Sequence, residues 1–143
     1  MKILSFHFRF YLFPIIFCFF FLFLFLQTTF LQAQDGSKVE IIIKNSTYEV
    51  KGGVLKPDLP ATIVIRNMDN IIHGFTSPLL EKLDVRVDTK GGTTYGKGIK
   101  GVYIEQGETV KIYFTPLLPG KFSFSCDLHP SMKGELLLIT IVV

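Results

Sequence analysis

From Val39 to Val143 the chain breaks every few residues at a turn signal, and no stretch between those breaks carries the period of a long helix. Val39–Ile43 is β-branched and apolar and ends at Asn45-Ser46. Tyr48–Val50 is a second short candidate, Gly52-Gly53 and Pro57 to Pro60 are turns, and Ala61–Asn67 is a clear strand. Val85–Val87, Val102–Ile104, Thr109–Thr115 and Lys121–Cys126 follow, with Gly107 and Pro116 to Gly120 as breaks. In Thr109–Thr115 the apolar Val110, Ile112 and Phe114 alternate with Lys111 and Tyr113, the mark of a half-buried strand. The closing run Glu135–Val143 is too short to span a membrane as a helix and reads as a buried strand. Leu79–Leu83 offers at most a helical turn. Gly91–Gly98 resembles part of a phosphate-binding loop, but Gly98 stands where Ser or Thr is needed and no apolar helix follows, so it reads as a flexible loop. Seven or eight short strands without a long helix predict an all-β sandwich.

The first thirty-odd residues differ in kind. Eleven of the fifteen Phe lie at or before Phe30, and Phe10–Leu26 is almost wholly apolar behind Lys2 and Arg9. That is the pattern of an export segment, with Ala33 as a small residue for cleavage and a mature start near Gln34. Its length approaches that of a membrane span, so a retained anchor is the alternative. The expected organisation is residues 1–33 as signal peptide or anchor and 34–143 as one domain, exported to a periplasmic or extracellular space. Cys18 follows Ile-Ile-Phe rather than small residues, which argues against a lipid-modified cysteine.

Beyond residue 33, thirteen basic side chains face twelve acidic ones. No basic patch stands out, which argues against a nucleic-acid partner. One cysteine remains, Cys126, so no disulfide can form within the domain. An unpaired cysteine in an oxidising compartment is a liability unless buried or bound.

Phe122-Ser-Phe-Ser-Cys-Asp-Leu-His-Pro-Ser-Met-Lys-Gly134 gathers Cys126, His129 and Met132 within seven residues. Alternation puts Phe122, Phe124 and Cys126 on one strand face, the core face, and His129 and Met132 follow at intervals of three. Gly134 offers a sharp exit to the last strand. The other histidine beyond residue 33, His73, sits just past the strand Ala61–Asn67. Taken singly, a buried Cys, a Met or a His is most often ordinary packing or surface. Together they form a thiolate, two imidazoles and a thioether. Zinc would take the Cys and His without the thioether, so Met132 favours copper and one-electron chemistry.

Cys-Asp-Leu-His-Pro-Ser-Met-Lys-Gly resembles the copper loop of the cupredoxins, the small blue copper proteins. Its C-x-x-H-x-x-M spacing is most similar to amicyanin-like members, whereas plastocyanins have a longer His-to-Met interval. Asn67-Met68-Asp69 with His73-Gly74-Phe75 resembles the family's N-x-D…H segment. Gly107-Glu108-Thr109-Val110 and Pro119-Gly120-Lys121-Phe122 resemble its recurrent turns. The resemblance runs from Val39 to Val143. It implies a Greek-key sandwich with His73, Cys126, His129 and Met132 as ligands of one copper ion. Gly74 stands where family members often carry Asn, Leu128 where they often carry Pro, and extra length falls in Ser77–Gly101.

Phe122 occupies the position where a binuclear centre needs a second Cys, and Ser125 and Asp127 flank Cys126 where a multicopper oxidase has His. Four protein ligands leave no open position for a substrate, which argues against an enzyme. The expectation is an exported, monomeric type 1 copper protein that carries single electrons between protein redox partners. The alternative is a copper-handling protein that delivers or buffers the ion for oxidase assembly. Any membrane contact would come through an uncleaved N-terminal segment. Pro78, Leu79 and Leu80 are expected to extend an apolar docking patch around His129.

Overall fold

The computed structural model describes residues 36–140. The export segment, its cleavage point and Cys18 lie outside those residues. Two β-sheets face each other across one apolar core. The larger is built from β1 (Ser37–Lys44), β2 (Thr47–Gly52), β3 (Ala61–Asn67), β5 (Asp84–Thr89), β6 (Gly92–Lys97) and β8 (Thr109–Phe114), in the order β2-β1-β3-β8-β5-β6. The smaller holds β4 (His73–Thr76), β7 (Gly101–Ile104), β9 (Gly120–Ser125) and β10 (Lys133–Leu138), in the order β10-β9-β4-β7. All pairings are antiparallel except β1 with β3. The neighbours β3–β8 and β4–β9 are far apart in sequence, as Greek-key crossovers require. This is the all-β sandwich read from the sequence, with ten strands among the described residues where seven or eight were expected. Among these residues no helix is long and apolar enough to cross a membrane.

Alternation builds the core. Val39, Ile41 and Ile43 of β1 point inward, as do Ile63 and Ile65 of β3 and Val110, Ile112 and Phe114 of β8. Phe75, Ile104, Phe124, Leu136 and Leu138 meet them from the smaller sheet. The β1–β2 hairpin closes on Asn45 and Ser46, both at φ 53°, the two-residue turn that matches strand twist.

Three local expectations are corrected. Gly91–Gly98 is not a loop: most of it is the edge strand β6, paired with β5 from Asp84↔Lys97 to Thr89↔Gly92. Its side chains are almost all exposed, so no apolar alternation announced a strand. The closing run is not buried on both faces. β10 is an edge strand, with Leu136 and Leu138 inside and Leu137 and Ile139 outside. Gly134 is required for space rather than for a sharp turn: its φ is not positive, and a Cβ there would strike the Phe124 ring.

Gly134→Ala therefore forces Phe124 to shift beneath Cys126, an overpacking cost of about 1–3 kcal/mol. The expected result is a lower urea midpoint at unchanged slope. An unchanged midpoint would show that the ring yields freely.

Candidate metal centre

β3 ends at Asn67, whose side chain is buried and fully used. Its Nδ2 donates to the carbonyls of Ile71 at 2.7 Å, Ile104 at 3.0 Å and Glu105 at 3.1 Å. Its Oδ1 accepts from the Asp69 amide at 3.0 Å. One side chain thus folds the turn 68–72 and ties it to the end of β7. The turn delivers His73 to the first position of β4, fully buried.

Asp69 fixes the imidazole. Its carboxylate accepts the amides of Asn45 at 2.7 Å and Ser46 at 2.8 Å, and its Oδ2 lies 3.0 Å from His73 Nε2. The Ser46 amide, then Asn45 and His73, hold the Asp69 carboxyl below its usual range despite partial burial. An ionised carboxylate only accepts, so in the neutral imidazole Nε2 carries the proton and Nδ1 keeps the lone pair. That Nδ1 is buried without a hydrogen-bond partner. An unsatisfied buried polar atom costs about 1–3 kcal/mol and calls for an explanation.

Two hydroxyl groups hold β4 against β9. Thr76 Oγ1 donates to the Ser125 carbonyl and Ser77 Oγ to the Ser123 carbonyl, each at 2.9 Å. This sets His73 beside the end of β9, where Cys126 is buried on the core face. The Gly74 amide donates to Cys126 Sγ at 3.1 Å. Cys126 Sγ lies 3.5 Å from His129 Nδ1, and the His73 and His129 rings are 4.7 Å apart. One donor atom each from His73, Cys126 and His129 falls within 4.8 Å of the others. The loop is closed by backbone bonds, from the Met132 amide to the His129 carbonyl at 2.9 Å and from the Cys126 amide to the Met132 carbonyl at 3.2 Å. Met132 is buried within the same loop. The bare Nδ1 of His73, a buried sulfur and a second imidazole nitrogen fit a soft or borderline metal ion, which would satisfy that lone pair.

The surroundings contain residues that the sequence did not single out. The Tyr48 hydroxyl donates to the Gly74 carbonyl at 2.5 Å, and its ring meets Phe124 edge-on at 5.0 Å. Burial, with Cys126 nearby, pushes its phenol well above the ordinary range. Gly74 is explained by Asp127: a Cβ at 74 would strike the Asp127 carboxylate. Tyr103, directly across from Gly74 in the β4–β7 register, donates its hydroxyl to that carboxylate. Asp127 thereby raises the Tyr103 phenol above its usual range. The place of an Asn side chain at 74 is filled from the ligand loop itself. The N-x-D pattern was a visible signal for Asp69. Tyr103 lies 24 residues from Asp127, and no local pattern marks it.

The proposed docking residues need correction. Leu79 and Leu80 are 6% and 0% exposed, packed into the core from a single 3-10 turn at Pro78–Leu80. β4 carries the chain away from His73, so this turn lies at the other end of the sandwich. The exposed apolar residues of the turn and loop that carry the histidines are Met68, Ile71, Ile72 and Leu128.

No curated protein matches the sequence. Among solved structures, the chain is similar to a multicopper oxidase, at 17% identity and a TM-score of 0.53 over 75% of this chain and 45% of that one. It is also similar to the multicopper oxidase McoA of the hyperthermophile Aquifex aeolicus, at 12% identity and a TM-score of 0.54 over 78% and 31%. The copper nitrite reductase of Nitrosomonas europaea gives 11% identity and a TM-score of 0.52 over 77% and 50%. At such identities the likeness is one of fold, and this chain spans half or less of each. The family model of the cupredoxin-like domain matches residues 14–138, and the chain belongs to that family.

Proposed function

We propose that this protein is an exported type 1 copper protein that carries single electrons between protein partners, with His73, Cys126, His129 and Met132 as the ligands. The observation that carries the reading is His73 Nδ1, buried and unpartnered, while its Nε2 is committed to Asp69. Bound there, copper supplies a reversible one-electron couple.

The chain's own residues account for the remaining properties. Asp69 presents Nδ1 in one tautomer and one orientation. The Gly74 amide points at the Cys126 sulfur and stabilises its thiolate. Met132 supplies a weak thioether beside the three stronger donors. His129 is only half-buried, and exposed Leu128 and Ile72 immediately precede the two histidines. That edge is the route for electrons to and from a partner. Carriage is favoured over delivery because His73, Cys126 and Met132 are all buried, which suits retention of an ion. It is favoured over oxidase activity by the sequence. Beyond residue 33 the chain holds two histidines, and both are spent on this centre.

Copper(II) added to the purified full chain is expected to give an intense thiolate-to-copper band in the visible. Cys126→Ser abolishes that band, and Met132→Leu keeps it while raising the potential. A Cys126→Ser protein that still shows the band would overturn the ligand assignment. Copper retained through repeated reduction and oxidation fits a carrier; release to a chelator on each reduction fits delivery.

Asp69→Ala is expected to weaken copper binding about 10–100-fold, the usual cost of losing a group that orients a histidine ligand. Competition with a chelator of known affinity measures it. Unchanged affinity would mean that packing alone orients His73.

A further inference from the structure

The smaller sheet is joined unevenly. β9 and β10 pair without a break from Lys133↔Ser125 to Leu138↔Gly120, and β4 and β7 from His73↔Ile104 to Thr76↔Gly101. Between these two ribbons, β4 meets β9 at Thr76↔Ser125 alone among the described residues. The metal centre is assembled across this seam, with His73 on one side and Cys126 on the other. A cleft of about 520 Å³ follows the seam, lined by Thr76, Ser77, Ser123, Ser125 and Lys133 and bordered by Phe124. Side chains close what the backbone leaves open. Away from the centre, the Thr76 and Ser77 hydroxyls bond to β9 carbonyls. At the centre, the Gly74 amide meets the Cys126 sulfur at 3.1 Å rather than a carbonyl. Continuing the Thr76↔Ser125 register along both strands sets Asp127 opposite Gly74, and Tyr103 lies opposite Gly74 on its other side. Gly74 has no side chain to part them, so the Tyr103 hydroxyl reaches across it to Asp127 Oδ2.

We infer that Tyr103 and Asp127 form a clasp that keeps the β4–β9 seam shut at its metal end, and that parting of this seam is what opens the centre. A seam with little backbone pairing is where local opening costs least. His73, Cys126 and Met132 are buried, so an ion reaches or leaves them only when part of the frame moves. With both ribbons intact, the motion is one ribbon swinging from the other about the Thr76 and Ser77 bonds. Tyr103 and Asp127 are both exposed, so the clasp breaks without disturbing the core. Tyr103 acts through Asp127, the residue next to Cys126, and is a positioning residue for the sulfur. On the copper reading proposed above, the clasp sets how fast copper exchanges; the clasp itself does not depend on that reading.

Amide hydrogen exchange on the metal-free full chain tests the clasp, with the Gly74 amide as reporter and the β3 amides as control. Tyr103→Phe is expected to speed Gly74 exchange about 2–10-fold, the effect of losing one ordinary hydrogen bond, and to leave β3 unchanged. Asp127→Ala does the same, and the two changes together add nothing further. Asp127→Asn, which keeps an acceptor for the Tyr103 hydroxyl, keeps exchange slow. Unchanged Gly74 exchange in Tyr103→Phe overturns the inference, as does equal acceleration of β3 or additive effects in the double variant. In the copper-loaded chain, Tyr103→Phe is expected to release the ion to a chelator faster by the same factor, with the visible band unchanged. Unchanged release overturns the seam as the exchange route. Absence of the band in every chain, the unsubstituted one included, fails the copper reading alone, and the metal-free exchange still decides the clasp.

Discussion

The Asp69 carboxylate is the joint on which the metal centre depends. It binds both amides of the Asn45-Ser46 turn and His73 Nε2, so the hairpin of the larger sheet and the first strand residue of the smaller sheet meet at one group. A carboxylate so held stays ionised and acceptor-only, which decides the histidine tautomer and leaves Nδ1 bare. The next residue, Gly74, donates to the Cys126 sulfur. The positions of imidazole and sulfur are therefore coupled through the His73–Gly74 peptide unit, and the following unit is pinned by Tyr48 at the Gly74 carbonyl.

Rigidity follows from how few of these groups are free to move. Asn67 uses both ends of its amide to hold the turn before His73. Phe124 lies between Tyr48 and Phe75 under the cysteine, with both ring centroids at 5.0 Å, and Gly134 leaves it room. On the outer side, Tyr103 holds Asp127 over Gly74. A frame set in this way would limit the change in geometry of a bound ion between two oxidation states, as the proposed one-electron exchange requires.

Much of this was legible in the sequence, for physical reasons that also mark where legibility ends. Period-two alternation in Lys121–Cys126 turned the cysteine inward, because a two-residue period leaves no other face for Phe122 and Phe124. Spacing of three brought His129 and Met132 onto one loop, and scarcity of histidine singled out His73. The strand β6 was missed because an edge strand with exposed side chains has no apolar period to read. Leu79 and Leu80 were misplaced because an apolar run says that it is buried somewhere, not at which end of a strand it lies. Tyr103 and the occupation of Gly74's missing side chain by Asp127 depend on strand register, which arises only when β4 and β7 pair.

X-ray absorption at the copper edge of the metal-loaded full chain tests the central claim most directly, because it reads the donor atoms themselves. The account predicts a first shell of one short copper–sulfur contact and two imidazole nitrogens. A first shell of nitrogen and oxygen alone, without sulfur, would contradict it.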